Sequence, residues 1–235
     1  MSELPEEVPP THPPRQERSR ETLARLLDAA EAVLAEGGLE AATVPAIAKR
    51  AGLSVGAVYR RFPDKDALLR AVYFRMIARA RERNAANMNP ELYAAMPLET
   101  VLRAMVRGIV QHYRENRTLL QAMHQYAETH GDAEFRRRAA GLNDDALAQL
   151  AALVSARRDE IRHPDPDAAV RFALLMVGLV LRGVLLRTQS LPGAFLRDDV
   201  SLEEELTRMV LGYLGVEGGS ERLSRNLTNS PKTSS

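Results

Sequence analysis

Five basic side chains fall between residues 49 and 65: Lys49, Arg50, Arg60, Arg61 and Lys65, against one acid, Asp64. Tyr59 and Gly56 lie among them. Cations with a phenol hydroxyl and a bare glycine are not a set for bond-breaking chemistry. They suit contact with phosphate and with base edges, where guanidinium and ammonium groups neutralise charge and donate hydrogen bonds. From Glu128 onward acids and bases are mixed, and the net charge of the 235-residue chain is only +1. One basic face on a near-neutral protein predicts a polyanion bound on one side.

The elements that must position these residues are legible locally. Thr43 is an N-cap, and Pro45 fits the first turn, where its missing donor costs nothing. Ile47 and Ala48 point inward. Gly52 supplies the left-handed residue that ends the first short helix. Ser54 caps the second, Val55, Val58 and Phe62 are taken as its buried side, and Pro63 stops it. Two capped helices with a tight turn between them form a helix-turn-helix, whose second helix can enter a DNA major groove. On that helix Val55, Gly56, Ala57, Tyr59, Arg60 and Arg61 are outward. Gly56 allows close approach of the backbone, and Val55 and Ala57 suit thymine methyls. Arg60 suits a guanine edge or a phosphate, and the residue type does not separate the two.

Residues 18–75 resemble the DNA-binding domain of TetR-type transcriptional repressors. The resemblance rests on Ala29-Ala30, Thr43-Val44, Ile47-Ala48, Ala51-Gly52-Leu53-Ser54, Gly56, Val58-Tyr59, Phe62, Lys65 and Leu68-Leu69 at fixed spacings. It implies phosphate contacts from Thr43, Tyr59 and Lys65, which position a protein without reading bases. Ser54 is counted with the DNA-facing set. Where many relatives carry His, this chain has Arg61, a cation that still suits phosphate. The resemblance also implies a homodimer joined by a four-helix bundle of helices 8 and 9, and a palindromic double-stranded operator.

Around this motif the chain reads as all-helical: an N-terminal three-helix DNA-binding domain and a C-terminal helical ligand-binding and dimerisation domain. Residues 1–17 are a Pro-rich arm, 18–83 the DNA-binding domain with a linking helix 4, 84–215 the second domain, and 216–235 a polar tail. Helix 1 is expected near Ser19–Glu36, ended by Gly37-Gly38, with Leu23, Leu26, Leu27, Ala30, Val33 and Leu34 on one face. Helix 4 is expected from Lys65 to about Arg83, helix 5 over Leu98–Glu115 and helix 6 over Arg117–Thr129. Helix 7 starts at an Asp132 cap, and Gly141 leaves its continuity open. Helix 8 is expected over Pro166–Thr188, and helix 9 from a capping box at Ser201 to Gly215.

Helix 8 is apolar almost all round, so it must bury more than one side. A second copy is the economical cover, through Leu175, Leu179, Arg182, Leu186, Leu206, Met209 and Tyr213. Arg182 is expected to reach an acid across this seam or to extend to water. Met105, His112, Tyr113, Met123, His124, Tyr126, Phe172 and Met176, mostly on buried stripes, are the candidate walls for a small, largely apolar effector.

No cysteine is present, and the histidines lack the i, i+4 spacing of a helical metal site, so neither a metal nor a cofactor is expected. No nucleophile elbow, P-loop or dinucleotide fingerprint speaks for an enzyme. No leader is visible, and the longest apolar run, Phe172–Leu181, is shorter than a bilayer span, so the expected setting is the cytoplasm. The function these readings favour is a homodimeric repressor released from its operator by a small molecule. The alternatives are control by a protein partner, or activation.

Overall fold

A computed structural model describes residues 15–87, 93, 95–130, 132–186 and 199–216. Residues 1–14 of the Pro-rich arm and 217–235 of the tail therefore lie outside the described residues, as do 88–92 and 94 of the loop before helix 5; residues 15–17, read as part of the arm, belong to the first helix. Chain contacts divide the protein into two compact units, one up to Val72 and one from Tyr73 onward. The division falls inside helix 4, upstream of the loop at which the composition changes.

The first unit is built on α1, Arg15–Ala41. Its apolar stripe is real: Leu26, Ala30 and Leu34 are fully buried, whereas Leu23 is only half-buried. Gly38, at φ 70° and ψ −164°, kinks the helix, and the chain resumes helical turns to Ala41. The first helix thus ends at the glycine pair, as expected, and a short second helical stretch follows it. Next come α2, Val44–Ala51, and α3, Val55–Tyr59. Helix α1 packs on α2, and α2 on α3. Ile47, Val58 and Leu68 are each at most 1% exposed, so one small core holds all three helices and the start of α4, Lys65–Asn87. Helix α4 runs four residues beyond its expected end at Arg83. The four added residues, Asn84-Ala85-Ala86-Asn87, include no Gly or Pro to break the helix.

The second unit contains the rest of α4 and then α5 (Leu98–Glu115), α6 (Arg117–Thr129), α7 (Ala133–Ser155), α8 (Pro166–Leu181) and α9 (Asp199–Leu214). The expected bounds of α5 and α6 coincide with those observed. Helix α7 passes through Gly141 without a break. Asp132 caps it, its carboxylate accepting from the Phe135 amide at 2.8 Å. Asp165 does the same for α8 through Ala168, at 3.1 Å. Helix α9 starts at Asp199, so Ser201 lies past the cap position, two residues into the helix.

A central cluster joins α5, α7, α8 and α9: Leu102, Val106 and Val110 meet Val154, Val177, Leu181, Leu206 and Val210. Helix α8 does not stay α-helical to its end; Arg182–Leu186 form a π-helical turn, which packs on α6. Residues 187 and 188, the expected end of this helix, lie outside the described residues. Together, Pro166–Leu186 are 21 residues with a window of mean hydropathy 2.1, long and apolar enough by composition to cross a membrane. That exceeds the length inferred from the apolar run alone. The helix is nonetheless a core element of its unit: Ala173, Val177 and Leu181 are buried in the cluster.

Candidate nucleic-acid interface

The turn between α2 and α3 is fixed by hydrogen bonds that the sequence announces. The Thr43 hydroxyl accepts from the Ala46 amide at 3.3 Å, and Ser54 accepts from Ala57 at 3.2 Å. Each satisfies an amide that the first helical turn leaves unpaired. Gly52 is left-handed at φ 65°, ψ 36°, and its amide reaches back to the carbonyls of α2. The Leu53 amide donates to Ala48 at 2.9 Å, completing the helix end. Beyond α3, Asp64 caps α4 by accepting from the Ala67 amide at 2.7 Å.

This frame leaves one side of α3 free. Val58 is the buried residue of the helix. Val55 is 38% exposed and Tyr59 50%, both large side chains presented to solvent. Gly56 and Arg60 are exposed beside them, while Ala57 is half-buried. Val55 therefore belongs to the outward face and not to the buried side, and Ala57 is less available than expected. The regular helix ends at Tyr59. The amides of Arg60, Arg61 and Phe62 still bond back to Gly56 and Val58, extending the helical path.

The basic residues differ in what holds them. Arg50 pairs with Glu36 at 2.6 Å, so part of its charge is offset within the unit. Arg61 is half-buried and donates to the Ser19 hydroxyl of α1 at 3.3 Å. Lys65 donates to the Leu39 carbonyl at 3.5 Å. Nothing in the sequence marks Ser19, Glu36 and Leu39; they meet the motif only through the packing of α1. Lys49 is exposed on the last turn of α2.

The candidate effector residues separate into three groups. Met123 and Tyr126 are 1% and 0% exposed, and Tyr126 packs edge-on to Phe135 at 5.6 Å, inside the core. Met105, His112, Tyr113, His124 and Met176 are half-buried. The Asn116 amide group lies 3.0 Å from His112 Nδ1. Burial, then the charge of Arg83, holds the His112 pKa below its ordinary value, against the pull of Glu115. Burial raises Tyr113, opposed by Arg182. His124 pairs with Glu128 at 3.2 Å. Phe172, expected on a buried stripe, is instead 49% exposed and leans on Tyr213 at 5.4 Å. A groove of about 500 Å³ between α5 and α9 is lined by Glu99, Arg103, Glu204, Arg208, Leu211, Gly212 and Val216. None of the eight candidates borders it.

The proposed seam is also redrawn. Leu175 and Leu179, 42% and 46% exposed, stand on one stripe of α8 with Phe172, and Tyr213 of α9 is 40% exposed. Leu186 and Leu206, at 5% and 3%, are covered by their own chain. Met209 and Arg182 are half-buried.

A capped two-helix motif with an open second helix, followed by a larger helical unit, defines a helix-turn-helix DNA-binding protein. The chain belongs to the tetR family of bacterial regulatory proteins: that family's profile matches residues 26–72, and the profile of a tetracyclin repressor-like C-terminal domain matches residues 97–214. The family is one of transcriptional regulators and not of enzymes. The transcriptional repressor KstR of Rhodococcus jostii is 38% identical over 90 residues, 37% of this chain and 42% of that protein. KstR of Mycobacterium tuberculosis is 35% identical over 107 residues, 46% of this chain and 47% of that protein. The matched stretch is thus less than half the length of either repressor. Among solved structures, FadR of Bacillus subtilis, determined with stearoyl-CoA, shares the fold at TM-score 0.58 and 19% identity, covering 80% of this chain and 96% of its own.

Proposed function

We propose that the protein is a homodimeric transcriptional repressor, released from a two-fold symmetric operator by a small, largely apolar molecule. The observation that carries the DNA-binding part is the outward face of α3. Val55, Gly56, Tyr59 and Arg60 stand free, opposite a single buried anchor, Val58. Such a face can enter a major groove while Thr43, Arg61 and Lys65 lie toward the backbone phosphates. Repression follows the KstR relatives. The setting is the cytoplasm, where the DNA is.

Two copies are favoured by the free apolar stripe of Phe172, Leu175 and Leu179, with Tyr213 beside it. Large side chains in a contiguous exposed patch mark an interface, and a self-complementary patch gives a two-fold dimer. Two-fold symmetry then asks for half-sites one helical turn apart, about 34–36 Å, or a multiple of that. Half-buried Met105, Met176, His112 and Tyr113 supply adaptable apolar walls and polar handles for the effector. A ligand that prefers the non-binding geometry needs only a coupling of about 1–3 kcal/mol to change operator affinity 5–150-fold. Control by a protein partner is the second reading; the groove between α5 and α9, lined by the charged Glu99, Arg103, Glu204 and Arg208, favours it.

The test uses a duplex enriched from a random library by the full chain. The Tyr59→Ala, Lys65→Ala double variant should bind it at least tenfold more weakly at equal salt, by fluorescence anisotropy. Unchanged affinity contradicts the docking of α3.

A further inference from the structure

The DNA-binding reading above leaves one role undivided, and this inference rests on that reading: which cation of α3 reads a base. Opposite Val58 the helix exposes two i, i+4 pairs, Val55 with Tyr59 and Gly56 with Arg60. In the second pair the guanidinium folds back along the helix. Arg60 Nη1 lies 3.9 Å from the point a Cβ on residue 56 would occupy. Helical side chains lean toward the N-terminus, so this direction is intrinsic to the position. With no side chain at Gly56, the space beside the guanidinium is left open on the outward face.

The neighbouring cations are engaged elsewhere. Arg61 is turned to Ser19, Lys65 to the Leu39 carbonyl and Arg50 to Glu36. The Arg60 guanidinium has no hydrogen bond or ion pair among the described residues. All its donors are open, and they form a rigid fork whose spacing matches the O6 and N7 acceptors of guanine. A phosphate contact would come from the flanks of the helix, where Arg61 and Lys65 are.

We propose that Arg60 is the base-reading residue of α3, donating two hydrogen bonds to a guanine in each half-site, with Gly56 as the platform that holds its fork level. Arg61 and Lys65 position the protein on phosphate. Substituting Gly56 by a larger residue displaces the fork without touching its charge.

The experiment selects binding sites from a random duplex library with the full-length wild type, Arg60→Ala and Arg60→Lys. Affinities are then measured on the wild-type site, and on that site with single base pairs replaced, across a salt series. The wild-type motif should hold one invariant G·C pair per half-site, whose replacement costs about 5- to 150-fold. In Arg60→Ala that penalty should fall to near one while the rest of the motif persists. Arg60→Lys keeps the charge and should lose most of the discrimination, since an ammonium is a point donor. The proposal is overturned if Arg60→Ala selects the same motif with the same penalties and only a salt slope shallower by about one, the mark of a lost phosphate contact. If the wild type enriches no motif at all, the DNA-binding reading fails first, before any variant is compared.

Discussion

At His112, burial and the nearby Arg83 charge both work against protonation, and the folded pKa lies below the ordinary 6.5. Between those two values the unfolded chain binds more protons than the folded one. This group's contribution is therefore complete above pH 6.5 and is lost as pH falls toward the folded pKa. Urea midpoints measured from pH 7.5 down to 5 should show a decline that is shallower in His112→Gln; parallel curves contradict the assignment. Local chemistry of this grain is partly legible in the sequence. Thr43, Ser54, Asp132 and Asp165 announce themselves as caps because each bonds an amide three residues on. Pairings such as Arg61 with Ser19, 42 residues apart, and Arg50 with Glu36, 14 apart, depend on how α1 crosses the motif, and no local pattern encodes that. The partial burial of Ala57 and the exposure of Val55 run against the local pattern for a related reason. In a five-residue helix one turn decides both faces, and only Val58 is anchored.

Two glycines show how differently the same residue serves two elements. Gly52 is left-handed at φ 65°, and a Cβ added there would meet nothing within 4 Å, so Gly52→Ala meets backbone strain alone. It should destabilise the first unit by about 1–2 kcal/mol. Gly141 lies inside α7, exposed and uncrowded, and Gly141→Ala should stabilise by about 0.5–1 kcal/mol. Thermal or urea unfolding of the two variants should therefore move in opposite directions; a shared sign contradicts the element assignments. Most helices are readable because apolar residues recur at helical spacing between caps. The continuity of α7 is not, since one glycine costs less than the burial of Phe135, Ala139 and Val154 returns. The π-turn at Arg182–Leu186 has no local signature in an apolar run. Ser201, a good cap by type, draws the expected start of α9 two residues past its true one at Asp199.

For the molecule as a whole, DNA binding of the proposed kind needs a second copy. An all-round apolar helix cannot show by periodicity which side faces its own chain, so the pattern groups Leu186 and Leu206 with the seam although both are buried within the unit. The structure leaves Phe172, Leu175, Leu179 and Tyr213 as the free set. A charge in that set should split the pair without unfolding the subunit. The most direct measurement is sedimentation velocity of the wild type and Leu179→Glu, alone and on the selected duplex. The account predicts a wild-type dimer in solution, two copies on one duplex, and a folded Leu179→Glu monomer with far weaker binding. A wild type that stays single in solution and occupies the duplex as one copy would contradict it.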